Sequence, residues 1–456
     1  MTTRQKMAIV ALMALTARGA VFAQQAEAAA EGHKWTLSEC IDYALQNNLE
    51  VKGSELTQEQ AHAQVDGAKG QLMPSLSFST QQTLGWRPWS QNTVALNGGT
   101  MTTTQSDATY SGGYNLSANW TVWDGGRTRR ELQGYRLEEQ KAEADGRVAA
   151  RSVEEQIVQY YVQILYEAEA ARVADSTLAA SASLLSRGVA MMAAGQLARA
   201  DVAQLEAQKS QDEYALVSAR AQLATYKMRL KQILEIIKTQ DFDVATPDVA
   251  DADVLAPLPS VDDVFLRAME AQPSVLSSRL AVRQAEIQER VARAGRYPTV
   301  NLSAAVSTNH SSASNDGVGE QMKQNVNNSI GLSIQVPILD NRQTRVSRAK
   351  AQISRRQTEL DSRQTENDVY RQVETYWLAA QSAQTQYVAA LANEKSMSES
   401  FDLVTEQFRL GLKNMAEVTT GKSDLLTARQ QVLQSKYTAL LNIALLKFYA
   451  GDELEL

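Results

Sequence analysis

The chain has little of three features that often constrain a fold: cysteine, proline and long apolar runs. Its 456 residues include one cysteine, Cys40, which excludes an intrachain disulfide and a metal site built from several cysteines. Cys40 lies in the apolar-periodic stretch LSECIDYAL, which predicts a small buried side chain rather than a reactive thiol. None of the 8 prolines lies between Pro88 and Pro247 or after Pro337. These two stretches can therefore form long uninterrupted helices.

After residue 23 the sequence has no apolar run near the 18 residues that a membrane-spanning helix requires. Any part that crosses a membrane must therefore consist of β-strands. The formal net charge is -7, which argues against a nucleic-acid partner.

Signs of catalysis are also missing. The three histidines, His33, His62 and His310, have no zinc-site spacing, and neither a GxSxG nucleophile nor a phosphate-binding glycine loop is present. We expect neither an enzyme nor a bound cofactor or metal.

The first 23 residues have the order of a secretory signal peptide. Arg4 and Lys6 precede an apolar run, and Val21-Phe22-Ala23 fits the small-x-small pattern of a cleavage site. We therefore expect the mature chain to be exported from the cytoplasm.

The two halves of the remaining chain align with each other. At an offset of 224 residues CIDYALQNNLEV lies over VFLRAMEAQPSV, and Pro74 lies over Pro298. Further along, the offset is 216, which places WDGGRTR over LDNRQTR and Gly195 over Gly411. Self-similarity of this kind indicates a duplicated structural unit. The predicted segments are the signal peptide (1–23), repeat 1 (24–240), a Pro- and Asp-rich linker (241–260) and repeat 2 (261–456).

Four segments alternate between apolar and polar residues with the period of two that β-strands have. The predicted strands are 75–86, 113–123, 299–308 and 329–338. Each is about 10 residues long, the length of a tilted strand that crosses a bilayer, and aromatic residues lie near their ends. A soluble β-sandwich has the same alternation, so the pattern alone leaves both architectures open.

The segments outside the strands are rich in Ala, Glu, Gln, Arg and Leu and predict long helices. The predicted helices are 36–72, 128–187 and 201–234 in repeat 1, and 262–295, 344–407 and 416–446 in repeat 2. A helix of about 60 residues extends roughly 90 Å, and coiled-coil pairing would bury the apolar stripes of such helices. The expected fold is mainly α-helical with a transmembrane β part, each repeat having two strands and a long helical hairpin.

Four strands cannot close a barrel, and open sheet edges are not tolerated in lipid. A membrane protein of this pattern must therefore oligomerise: two copies give 8 strands and three give 12, and strand counting does not choose between them. The alternative is a secreted coiled-coil protein with a structural or adhesive role and no lumen. It would share the signal peptide and the long helices, but it would not need four amphipathic strands.

The sequence resembles the TolC-like outer membrane efflux protein family over essentially the whole mature chain. The resemblance rests on the opening helix WTLSECIDYALQNN, on Pro74 and Pro298 before the first strand of each half, and on WDGGRTR and LDNRQTR after the second strand. It also rests on the glycine-centred turns AGQLARADV and LGLKNMAEV. Order, spacing and duplication make these motifs specific together.

The resemblance implies a homotrimer in the outer membrane that extends into the periplasm, with one 12-stranded β-barrel on a periplasmic α-helical barrel. It implies the exit duct of a tripartite efflux or type I secretion system. The implied partners are a periplasmic adaptor protein that docks on the helical tips and, through it, an inner-membrane pump or exporter.

Residue roles are implied as well. In the family an acid after each tip glycine, a basic residue after the second glycine and an aromatic ring hold a closed periplasmic aperture. The corresponding residues here are Asp201, Glu417, Lys413 and Phe408, and the tip turns for adaptor docking are Gly195, Gly411 and Leu412. The alternative is that Asp201 and Glu417 are acids at helix N-termini, where the helix dipole favours them.

Overall fold

A computed structural model describes residues 34–96, 99–237, 242–247 and 249–454. The predicted signal peptide and His33 lie outside the described residues.

The first half of the chain contains the strands and helices with which the numbering begins. They are β1 (Lys34–Trp35), α1 (Leu37–Asn47), α2 (Leu49–Gly70), β2 (Ser75–Leu96), β3 (Gly99–Trp123), α3 (Arg127–Ala193) and α4 (Arg199–Ile233). The second half follows with β4 (Asp243–Val244), α5 (Asp251–Val254), α6 (Val261–Ala271), α7 (Pro273–Ala294), β5 (Thr299–Ser311), α8 (Val318–Gln324), β6 (Asn327–Gln335), α9 (Gln343–Arg409) and α10 (Met415–Tyr449).

Helix lengths recur between the halves. Helices α3 and α9 each have 67 residues, and α4 and α10 each have 35. The starts of α3 and α9, at residues 127 and 343, differ by 343 - 127 = 216, which is the spacing found in the sequence. The prediction of a mainly α-helical chain with a β part is confirmed.

Two of the predicted helices are each interrupted once. Segment 36–72 is α1 and α2, separated at Asn48, whose backbone is extended and whose side-chain carbonyl accepts from the N–H of Glu50 at 2.8 Å. Segment 262–295 is α6 and α7, separated at Gln272, because a residue before a proline is pushed out of the helical region. Pro273 then starts α7, where its missing N–H costs nothing.

The chain forms two compact units, which we call the strand unit and the helical unit. The strand unit comprises Thr57–Glu143 and Ser277–Arg363. The helical unit comprises the described part of Met1–Leu56 together with Ala144–Leu276 and Gln364–Leu456.

The strand unit contains an antiparallel sheet in the order β2-β3-β5-β6. Alternation gives one face large apolar side chains that are exposed in the protomer, including Leu76, Phe78, Ile330 and Leu332. Within the described residues β2 pairs only with β3 and β6 only with β5. Among the described strands, β2 and β6 therefore form the two edges of the sheet.

The hairpin of β2 and β3 is longer than the predicted strands 75–86 and 113–123. A shift of register between Arg87 and Ser90 absorbs Pro88, which has no N–H to donate to the ladder, and pairing then continues. Strand β6 ends at Gln335, before Pro337, rather than at the predicted residue 338.

The core of the helical unit packs α1 and α6 against α3, α4, α9 and α10. Cys40 is fully buried in it, and burial raises the pKa of its thiol to about 12, which confirms the prediction of an unreactive small side chain. The short strands β1 and β4 pair in parallel beside this core. In the part of the chain that the structure describes, no helix has both the length and the apolar character needed to cross a membrane.

Tyr161 of α3 connects this core to the short parallel strands. Its ring is 2% exposed, and its hydroxyl lies 2.7 Å from the carbonyl oxygen of Ala245 and 3.3 Å from that of Trp35. Burial raises the pKa of the Tyr161 hydroxyl. The hydroxyl therefore stays a hydrogen-bond donor to the loop that follows β4.

Replacing Tyr161 by Phe should lower the free energy of unfolding by about 0.5–1.5 kcal/mol, because the part-buried carbonyl of Ala245 loses its donor. Denaturant unfolding followed by circular dichroism measures the change. Tyr214→Phe is the control, since the side chain of Tyr214 is 76% exposed and its loss should change stability by less than about 0.5 kcal/mol. Equal effects of the two substitutions would contradict the assignment.

Candidate functional site at the helical tips

Each pair of long helices in the helical unit is joined by a tight turn centred on glycine. Gly195 and Gly411 have φ values of 71° and 75°, in the left-handed region that side chains disfavour. The N–H of Gly411 donates to the carbonyl of Phe408, and the N–H of Leu412 donates to that of Gln407, both at 2.9 Å. This pattern is a Schellman motif, and the turn at Gly195 repeats it.

The helices that leave the two turns start differently. Helix α10 begins with a capping box, in which the side chain of Asn414 accepts from the N–H of Glu417 at 3.0 Å and Glu417 accepts from the N–H of Asn414 at 3.1 Å. Helix α4 begins after Ala198, which has no side chain that can cap. The start of the helix is therefore capped by side-chain hydrogen bonds after the second turn but not after the first.

Lys413 and Glu417 form an ion pair with 2.9 Å between the ammonium nitrogen and Oε1. The hydrogen bond from Lys413, followed by that from the backbone of Asn414, lowers the pKa of the Glu417 carboxyl. The two side chains are 38% and 42% exposed, so water screens the pair and its contribution to stability is small. Within the protomer, Glu417 thus acts as a helix-capping acid, and its aperture role stays a prediction.

Asp201 lies in the first turn of α4 and is half-buried. Within the described residues its carboxylate takes part in no ion pair or side-chain hydrogen bond, so it is not joined to the pair of Lys413 and Glu417. Its role at an aperture stays a prediction.

Phe408 joins the two tips through apolar contact. Its half-buried ring packs with Leu205, Met415 and Val418, which come from both helices that leave the turns. Leu412 lies outside this cluster, with 73% of its side chain exposed. Phe408 is therefore packed between the helices, whereas Leu412 is exposed at the turn.

Sequence reasoning missed a polar cluster near these tips. Lys422 of α10 contacts Asp212 of α4 and Ser181 of α3, and all three side chains are buried. The heptad spacing of apolar residues in α10 indicates that Lys422 is buried. Lys422 continues the apolar series Met415, Val418 and precedes Leu425, where a coiled coil normally places an apolar residue.

The described part of the chain contains no group of three or more His, Cys, Asp or Glu side chains arranged to hold a metal ion. His62 pairs with Glu139 at 2.6 Å, which raises the pKa of its imidazole, whereas His310 packs against Tyr110 and Tyr114. His62 and His310 therefore contact different residues.

Comparison with known proteins gives consistent matches. The family model described as outer membrane efflux protein matches residues 40–234 and 266–452. The outer membrane efflux protein BepC of Brucella suis is 23% identical over 336 residues, which cover 74% of this chain and 71% of BepC. The outer membrane protein TolC of Salmonella enteritidis is 24% identical over 198 residues, 42% of this chain and 40% of TolC.

Solved structures share the fold. CusC, a protein studied for folding and transmembrane channel formation, superposes with a TM-score of 0.77 at 18% identity, covering 91% of this chain and 92% of CusC. The outer membrane protein VceC of Vibrio cholerae gives 0.73 at 16% identity, covering 92% and 97%.

Replacing Gly411 by Ala should destabilise the tip by about 1 kcal/mol, because the left-handed backbone is strained for a residue with a Cβ. Hydrogen exchange of amides 405–415 should then become faster. Gly421→Ala is the matched control in α10, where the new Cβ would lie 3.5 Å from Phe401 and helix propensity favours Ala by about 1 kcal/mol. Slower exchange in both variants would contradict the account of the turn.

Proposed function

Since the chain belongs to the outer membrane efflux protein family, we propose that it is the exit duct of a tripartite efflux or type I secretion system. The chain is an outer-membrane efflux channel, and the family is one of channels rather than enzymes. The observation that carries the proposal is the family match across both halves of the chain. A secreted coiled-coil protein without a lumen has no use for an open-edged sheet with an exposed apolar face.

The proposed assembly is a homotrimer. The free edges of β2 and β6 need partners before the sheet can lie in lipid. Three copies of four strands give a closed barrel of 12 strands, which supports the trimer that the family resemblance implies. The exposed apolar side chains would then face the membrane, and the polar face would line the passage.

Substrates are proposed to pass without energy input from this chain. They enter from an inner-membrane pump or exporter through a periplasmic adaptor, traverse the helical part and leave through the strand barrel. The adaptor is proposed to dock on the tip turns around Gly195 and Gly411, where Leu412 offers an exposed apolar contact. The pump then selects the substrate.

The tip is proposed to close the duct at rest. In a trimer three copies of Asp201, Lys413 and Glu417 would converge on a narrow opening. Charges at such a constriction lose water, so pairs that are weak on an open surface become stronger there, and a ring of acids attracts cations. Asp201, which has no ion pair within the described part of the chain, would find its partner in a neighbouring protomer.

Replacing Asp201 by Asn and Glu417 by Gln together should raise the conductance of the resting channel in a planar bilayer and lower its preference for cations. A loss of about 1 kcal/mol of closed-state stabilisation would raise the open fraction about fivefold. Gln at position 417 can keep the capping box, so the change tests the charge rather than the helix end.

The control is Glu406→Gln, which breaks the exposed pair of Glu406 with Arg409 one turn before the second turn. It should leave conductance and selectivity unchanged. If the double variant also behaves as the wild type, Asp201 and Glu417 are helix-end residues only.

Replacing Leu412 by Asp should weaken binding of the periplasmic adaptor at least about tenfold, because a charge would enter an apolar contact. Copurification and titration with the adaptor of the native strain measure the effect. Leu403→Asp is the matched control, since Leu403 is 64% exposed on α9 but lies before the turn. Equal loss in both variants would contradict docking at the tip turn.

A further inference from the structure

A buried polar cluster in the helical unit ties together three helices from both long hairpins. The ammonium group of Lys422 in α10 forms an ion pair with the carboxylate of Asp212 in α4 and donates to the hydroxyl of Ser181 in α3. Ser181 in turn donates to Asp212. We call these three residues the latch cluster.

Neighbouring groups complete the hydrogen bonding of the latch cluster. Gln208 donates to Oδ1 of Asp212 at 3.0 Å, and Lys422 lies 3.4 Å from the carbonyl oxygen of Thr177. Asp212, Ser181 and Lys422 are 4%, 3% and 8% exposed. Both charges are therefore paired inside the protein, out of contact with bulk water.

Burying such a pair is a poor way to increase stability, because removing two charges from water costs about as much as their attraction returns. Separating the partners within the core is costly, since each would remain buried and unpaired. An apolar seam can slip by a helical turn and still be apolar, whereas a seam with one ion pair has one favourable register. The latch cluster therefore fixes the position of α10 along α3 and α4.

The cluster occurs at one of two positions that are equivalent in the doubled chain. Shifting Lys422, Asp212 and Ser181 by 216 residues leads to Glu206, Ala428 and Met397, which cannot form the same contacts. Lys422 lies five residues after Glu417 on the same helix. The latch cluster thus acts on the hairpin that carries the ion pair of Lys413 and Glu417.

The packing beside the cluster includes a small cavity. A cavity of about 80 Å³ adjoins Asp212 and Thr177, and its lining includes Ala174, Ala215 and Ala219. Protein cores normally contain few voids larger than a water molecule. The ion pair thus lies beside a small gap in the packing of α10 against α3 and α4.

We propose that the latch cluster is a positioning device that holds the second hairpin against the first and so keeps the Lys413–Glu417 tip in its resting place. This inference rests on the proposed function for its effect on conductance, but the positioning itself does not depend on it. Lys422, Asp212 and Ser181 act through the tip residues and do not touch the substrate.

The test compares two variants of the full-length trimer. Asp212→Asn leaves the charge of Lys422 buried without its partner. The triple variant K422M/D212L/S181A replaces the cluster by apolar side chains and should retain the thermal stability of the wild type. We expect both variants to raise hydrogen exchange of amides 405–424 about tenfold and to raise resting conductance.

The control is Asp175→Asn, which breaks the exposed ion pair between Asp175 of α3 and Arg220 of α4. That pair lies within the first hairpin, so its loss should change neither readout. If amide exchange and resting conductance in the triple variant equal those of the wild type, the proposal is wrong. The cluster then contributes only to packing. If Asp212→Asn fails to assemble, the triple variant decides alone.

The two readouts separate the proposals. If the wild-type trimer does not conduct at all, the proposed function fails, and hydrogen exchange still decides on the latch. If the wild type conducts and the exchange rates of amides 405–424 do not respond to the triple variant, the latch fails while the duct stands.

Discussion

Among the described residues the four-stranded sheet has two edges without a partner strand, and this constraint governs the rest of the protein. Backbone N–H and C=O groups at an open edge have no water to bond in a bilayer. The exposed apolar side chains on one face, such as Phe78 and Leu332, make the surface of the lone protomer equally unsuited to water. The proposed barrel of several copies would solve both problems together.

The helical unit, in contrast, has a buried core of its own. Its core around Ile157, Leu230 and Leu446 is packed and buried, and Tyr161 ties the loop after β4 to it. Towards the turns the packing includes the buried side chains of Leu205, Met415 and Val418, the half-buried apolar side chains around them, and the buried ion pair of Lys422 and Asp212. The unit thus has a large buried core and a smaller apolar cluster near the turns.

Much of the architecture was predictable because it follows from local chemistry. The absence of proline allowed α3 and α9 to be foreseen as long helices, and period-two alternation located the four main strands. The helix breaks at Asn48 and Gln272 were missed, although Pro273 is the kind of residue that ends a preceding helix. The extension of the β2–β3 hairpin beyond residue 86 was missed, because a register shift absorbs Pro88 and strand pairing continues past it.

The candidate site was only partly predictable. The glycine turns and the pair of Lys413 and Glu417 lie close together in sequence, so spacing reveals them. The latch cluster joins Ser181, Asp212 and Lys422, which are separated by up to 241 residues, and only the packing of three helices brings them into contact. A charge at a heptad position indicates such a contact but does not identify its partner.

The central claim is that three copies close one barrel, and the mass of the detergent-extracted outer-membrane species tests it most directly. Light scattering corrected for bound detergent should give a protein mass near three times the 50.0 kDa of the chain, slightly less after removal of the signal peptide. A stable monomer in that detergent would contradict the account, since four strands would then exist without a closed barrel.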